Sequence, residues 1–168
     1  MTGVAWGLFL TTKKIMNLKT FCILLAVLCF GCGGHPKPVG LPVLVPCEIN
    51  ITQNGEPLDG AVVSLLPDDG AKGWGTIGHT DASGKAVMNT RMHWKGAPKG
   101  KYIITVTRSI QETLPGKEGE GKWDNLVTYN TIQKEYGDVS QSSLRLEVTG
   151  KTSATFDVGK AVKERVRY

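Results

Sequence analysis

The densest group of chemically capable side chains in the chain is Gly78–Lys85, which reads Gly-His-Thr-Asp-Ala-Ser-Gly-Lys. His79, Asp81 and Ser83 are the residue types of a nucleophile, a base and an orienting carboxylate. A triad, however, needs two specific hydrogen bonds, and its members usually come from distant parts of a chain. On a strand ending near Asp81, His79 and Asp81 point to one face while Ser83 already lies in the turn. A calcium loop of EF-hand type beginning at Asp81 would need its glutamate at the twelfth place, where the chain has Met92. What remains is a hairpin turn, in which Asp81 bonds nearby backbone amides and Gly84 takes positive φ.

Two further segments imitate nucleotide sites. Gly73-Trp-Gly-Thr-Ile-Gly78 satisfies G-x-G-x-x-G, but such a fingerprint aims the N-terminus of a following helix at pyrophosphate, and a strand pattern follows here. Gly116–Lys122 has the spacing of a phosphate loop, yet Trp123 stands where a magnesium-binding hydroxyl belongs, and Glu118 and Glu120 would repel phosphate. His35, His79 and His93 lack the spacing of a zinc site. The sequence therefore calls for no metal, no cofactor and no catalytic residue. Trp74, Trp94 and Trp123 fall in or beside predicted loops, where indoles either contact a ligand or partner or plug the open ends of a core.

The elements that must position these residues begin after an N-terminal segment of another kind. From Met16, a plausible true start, Met-Asn-Leu-Lys-Thr leads into the apolar run Phe21–Gly31 and then Cys32. A basic start, about a dozen apolar residues and a small residue before a break describe a secretory signal over 1–31, too short for a membrane span. Leu28-Cys-Phe-Gly-Cys32 resembles a bacterial lipobox, although Cys29 and Phe30 stand where leucine and a small residue are usual. The resemblance implies cleavage before Cys32, lipid attachment to it, a flexible tether over 32–46 and residence in the cell envelope; plain secretion is the alternative. Removing 1–31 takes Lys13, Lys14 and Lys19 and no acid, which lowers the net charge from +5 to +2. The remaining charges are scattered, so no nucleic-acid footprint is left. Cys29-x-x-Cys32 straddles the end of the apolar segment with no second pair, and only Cys47 remains in the domain, which excludes an internal disulfide.

Alternation of apolar and polar residues predicts strands at about 47–52, 61–66, 75–80, 85–89, 100–107, 143–148 and 154–158, separated by Gly, Pro, Asn and Asp. Residues 109–122 read as an exposed loop, and 159–168 as a charged tail, either a short helix or frayed. Seven short strands with no convincing helical period predict an all-β fold, a seven-stranded antiparallel β-sandwich following the signal segment.

The order of three motifs carries a further resemblance. Gly55-Glu-Pro-Leu-Asp-Gly-Ala-Val-Val63, Thr80-Asp-Ala-Ser-Gly-Lys85 and Gly96-Ala-Pro-Lys-Gly-Lys-Tyr-Ile-Ile-Thr-Val106 resemble the carboxypeptidase regulatory-like, or transthyretin-like, domain. Ile132–Asp138, Ser143–Val148 and Thr155–Val158 are similar to the ending found in bacterial lipoproteins that carry it, with Ile132-Gln133 in place of a proline. The resemblance covers about 48–158. It implies a prealbumin-like sandwich used as a structural or protein-interaction module at the envelope, with no reaction of its own. A carbohydrate-binding module using the loop tryptophans is the alternative, and a hydrolase built on His79 and Asp81 a remote one. Enzymatic relatives of the fold end in Tyr-Arg-Gly-Ser or hold iron with a close His-x-His pair; this chain ends Arg-Val-Arg-Tyr168 and has no such pair.

Overall fold

Strand β2, Cys47–Gln53, shows why the chain folds as it does: Cys47, Ile49 and Ile51 are buried while the residues between them are not. A strand with one apolar face must bury it against a second layer, and the rest of the domain supplies that layer. The computed structural model describes residues 36–70, 73–114 and 126–166. The chain divides into Met1–Pro36 and Lys37–Tyr168, and the architecture below is that of the second unit.

In chain order the strands before the first long connection are β1 Leu44–Val45, β2, β3 Glu56–Pro57, β4 Val62–Pro67, β5 Thr76–His79, β6 Lys85–Val87, β7 Asn89–Thr90, β8 Trp94–Lys95, β9 Ala97–Pro98 and β10 Gly100–Thr107. After them come β11 Ser109–Thr113, β12 Leu126–Asn130, the single helical turn α1 Lys134–Gly137, β13 Arg145–Val148, β14 Thr152–Asp157 and β15 Glu164–Arg165. One sheet runs β13-β10-β4-β5-β7-β8, and the other runs β14-β2-β3 with β6 also paired to β2. Val63, Leu65, Ile104, Val106 and Val148 of the first sheet meet Ile49, Ile51 and Ala86 of the second in one buried cluster. The fold is therefore an all-β sandwich.

Four expectations change. The strand expected at 85–89 is split: β6 belongs to one sheet and β7 to the other, and Met88 between them turns fully into the core. Gly78 makes that possible, because a Cβ there would lie 2.8 Å from Met88 Sδ and 3.1 Å from the Val87 carbonyl. Pairing is not wholly antiparallel, since β14 runs parallel to β2 from Thr152↔Cys47 to Asp157↔Thr52. The Thr149–Lys151 turn carries the chain from the edge of one sheet to the edge of the other, so β14 finds β2 instead of hairpinning onto β13. Residues 109–113, expected as loop, form β11, which pairs with β12 over Ser109↔Asn130 to Thr113↔Leu126. The tail adds β15 to that pair through Tyr129↔Arg165, in place of a helix or a frayed end.

The expected tether is also partly structured. β1 pairs with β9, Leu44↔Pro98 and Val45↔Ala97, and Leu41 N–H donates to the Pro38 carbonyl at 3.2 Å. Gly96, at φ +105°, permits the docking, for a Cβ there would sit 2.6 Å from the Val45 carbonyl oxygen. The sandwich thus has two distinguishable ends. Residues 37–46, the β7–β8 turn and the start of β10 gather at one, the near end; the turns at 54–55 and 81–84 and the end of β10 gather at the other, the far end. Eight extended residues of β10 separate the two ends by roughly 24 Å.

Candidate functional site

The 79–85 segment joins β5 to β6 at the far end, and its hydrogen bonds account for each polar residue. Asp81 Oδ1 accepts from Ser83 N–H at 2.9 Å, Ser83 Oγ at 2.6 Å and Lys85 N–H at 3.1 Å. Gly84 N–H donates to the Asp81 carbonyl at 2.8 Å, and Ile51 N–H donates to the Gly84 carbonyl at 2.8 Å. Gly84 sits at φ +76°, the left-handed region that favours glycine. The hydrogen bond from Ser83 leads the causes that hold the Asp81 carboxyl below the ordinary carboxylate range, followed by that from the Lys85 amide.

This geometry is a turn, and it does not assemble a triad. Ser83 Oγ donates to the carboxylate directly, with no imidazole between them. A carboxylate held ionised to low pH is a poor acceptor for the proton of a nucleophile. His79 is exposed on the outer face of β5, and its imidazole makes no hydrogen bond among the described residues. Lys85 Nζ pairs with Glu48 at 2.7 Å, a hydrogen bond that raises its pKa. No group of three or more His, Cys, Asp or Glu that could hold a metal occurs among the described residues. Gly73–Gly78 leads into β5, so its glycines face no helix N-terminus.

Trp74 and Trp94 are half-buried at the near end, on two different clefts. Trp74 lines a cleft of about 470 Å³ on the outer face of the six-stranded sheet with Leu66, Pro67, Ile77, Arg91 and Met92. The Arg91 guanidinium lies 4.5 Å from the Trp74 ring centroid, a cation–π stack that covers one face of the indole. Arg91 and Met92 form the tip of the β7–β8 turn with φ of 48° and 64°, uncommon for residues with side chains. Trp94 lines a cleft of about 450 Å³ with Lys37, Pro42, Val43, Leu44 and Lys95, and His93 meets its ring edge-on, centroids 5.8 Å apart. Trp123 and Cys32 lie outside the described residues.

A third cleft, of about 520 Å³, opens at the far end and was not legible as a motif. Arg108, Asn130, Gln133 and Lys134 bring cationic and amide groups over a floor that includes Val106 and Ile132. Arg108 is fixed by Nε donating to the Asp59 carbonyl at 2.8 Å and Nη1 to Thr131 Oγ1 at 3.2 Å. Asp138 on the rim is already occupied: its carboxylate accepts from Ser140 N–H at 2.8 Å, Ser140 Oγ at 2.7 Å and Gln141 Nε2 at 3.0 Å. The contacts of Ser140 head the causes that lower its pKa. The cleft draws on the end of β10, the end of β12 and α1, distant in sequence, and no local motif joins Arg108, just after β10, to Lys134.

No family model matches the chain, and no curated protein matches it. Among solved structures it is similar to the major pilin subunit of Bacillus cereus, at 17% identity and a TM-score of 0.40, over 70% of this chain and 30% of the pilin. It is also similar to a 9R-lipoxygenase from Cyanothece, at 16% identity and a TM-score of 0.33, over 86% of this chain and 20% of that enzyme. The chain thus spans less than a third of either protein, and at these scores neither protein's role transfers to it.

Proposed function

We propose that the protein is an exported, lipid-anchored β-sandwich of the carboxypeptidase regulatory-like, transthyretin-like type, acting without catalysis as a structural and protein-interaction module of the cell envelope. Two facing sheets, one of β2, β3, β6 and β14 and the other of β4, β5, β7, β8, β10 and β13, support a sandwich of this type. Cys32 is the anchor, and it precedes the first described residue by four positions.

The observation that carries the reading is the separation of the two ends. The chain enters the domain at the β1–β9 end, while the cleft with Arg108 and Lys134 opens at the other, where an anchored domain would meet a partner. Cations and amides over an apolar floor suit a peptide segment bearing a carboxylate. The glycan-binding alternative draws less support, because Arg91 covers a face of Trp74 that a sugar ring would need.

A photo-crosslinking amino acid at Val139, on the rim of the far cleft, tests the interaction in cells, with one at Ser153 on the outside of β14 as control. The expected result is one envelope protein captured from position 139, not from 153, and lost when Lys134→Glu is added. Equal capture from both positions, or capture insensitive to Lys134→Glu, would reject the far cleft as the contact site.

A further inference from the structure

The three most exposed large hydrophobic side chains of the described residues are Val39 at 102%, Val43 at 79% and Met92 at 72%, and all belong to the end at which the chain enters the domain. Val39 lies in the turn at 39–40, and Gly40 approaches Trp74, a Cβ there falling 4.0 Å from the indole. Val43 lines the cleft of Trp94, and Met92 lines that of Trp74. The β7–β8 turn, Arg91 to His93, joins the two clefts into one patch. Its charges have one sign: Lys37, Arg91 and Lys95 line the clefts, and neither lining contains an acidic residue. In the turn that follows β4, Asp68 pairs with Arg145 at 3.5 Å.

Exposed aliphatic side chains, half-buried indoles and long cationic stems together are the composition of a surface that rests in a lipid headgroup layer. Indoles prefer the boundary, lysine and arginine extend their charges to phosphate, and anionic lipid adds attraction for each cation. Chain length supplies the occupant. If Cys32 carries lipid, four residues separate it from Lys37, and five chain steps reach at most about 18 Å. This patch is then the part of the domain that the anchor holds beside the bilayer. An anchor of two or three acyl chains holds the chain at the bilayer by itself, so a contact of this kind would fix how the domain is turned against the surface.

We infer that the patch around Val39, Val43 and Met92 is a membrane-docking surface for anionic lipid, which rests on the lipoprotein reading for its proximity to the bilayer and orients the far cleft outward. The test places an environment-sensitive fluorophore at Met92→Cys, or at Ser83→Cys on the opposite end, in the mature full-length chain. The labelled proteins are reconstituted in phosphatidylcholine vesicles with and without one-third phosphatidylglycerol, and mass spectrometry of the same samples reports whether Cys32 is acylated.

The docking surface predicts a blue shift and quenching by nitroxide-labelled lipid at position 92 and not at 83, stronger with phosphatidylglycerol. It also predicts that Val39→Asp and Val43→Asp, both at exposed positions, each reduce the docked fraction of the chain labelled at position 92 about tenfold, as expected when one such side chain no longer leaves water. An acylated chain whose position 92 stays as aqueous as position 83 overturns the docking surface and leaves the anchor standing. A chain without acyl mass overturns the anchor; docking is then judged by co-sedimentation of the unanchored chain with anionic vesicles, and its absence, or insensitivity to the two aspartates, overturns docking as well. Protection of position 92 only when another protein is present also overturns it.

Discussion

Substituting Gly84 by alanine should be far more damaging than its place in a surface turn suggests, and the size of the effect follows from two separable causes. At φ +76° an L side chain meets the strain of the left-handed region, about 1 kcal/mol. In addition, the new Cβ would lie 2.5 Å from the Ile51 carbonyl oxygen and 3.1 Å from the Leu58 nitrogen, both backbone atoms that cannot swing aside. Relieving that contact stretches the Ile51 N–H to Gly84 carbonyl bond of 2.8 Å and the Leu58 N–H to Ile51 carbonyl bond of 3.0 Å, at about 1 kcal/mol each. The sum is about 2–4 kcal/mol, a large part of a typical domain's stability of roughly 5–15 kcal/mol. For a unit of this size the melting temperature should fall by about 6–15 °C. Gly70→Ala is the control: Gly70 has φ +68° but nothing within 4 Å of a Cβ, so only the strain of about 1 kcal/mol remains. Paired thermal unfolding by circular dichroism reads both. A loss at Gly84→Ala no greater than at Gly70→Ala would refute the account of this turn as a tightly packed backbone junction.

Other expectations are open to simpler tests. Asp157 ties three segments, accepting from Gly55 N–H and Thr52 Oγ at 2.8 Å and from Gly159 N–H at 2.7 Å, and the Gly55 and Thr52 contacts lead the causes that lower its pKa below 3.8. A folded pKa below the unfolded one means that the native state binds fewer protons, so this stabilisation is present above about pH 4 and lost as pH falls through the folded value. Asp157→Asn should therefore lower the melting temperature at pH 6, and the gap from the wild type should narrow progressively as pH falls below about 4. Burial, ahead of the nearby Glu48, pushes the Cys47 thiol up to about 11. Roughly one molecule in a thousand then carries a thiolate at pH 8, so iodoacetamide should modify Cys47 rapidly only after unfolding. Ile104, fully buried at the middle of β10, should cost about 2–5 kcal/mol on replacement by alanine, read by urea unfolding.

The parts of the fold legible in the sequence are those where burial on one face imposes alternation. Cys47, Ile49 and Ile51, then Val63 and Leu65, then Ile104 and Val106, mark β2, β4 and β10 within a residue or two. Alternation fails where the layer changes: Met88 continues the pattern of β6, yet the chain leaves one sheet for the other around it because Gly78 opposite has no side chain. β11 and β15 were illegible because most of their residues are exposed, and their pairing with β12 is backbone hydrogen bonding that side-chain pattern does not report. The turn at Asp81–Gly84 was readable because its interactions lie within a few residues. The clefts were not, since Arg108 meets Lys134, and Lys37 meets Trp94, only through the tertiary fold.

The claim that the domain works as an anchored module is tested most directly by mass spectrometry of the N-terminal peptide of the mature protein from membranes of cells that process lipoproteins. The account predicts a peptide that begins at Cys32 and carries the added mass of a diacylglycerol with or without a further acyl chain. A mature chain that begins at another residue, or a Cys32 with an unmodified thiol, would contradict it.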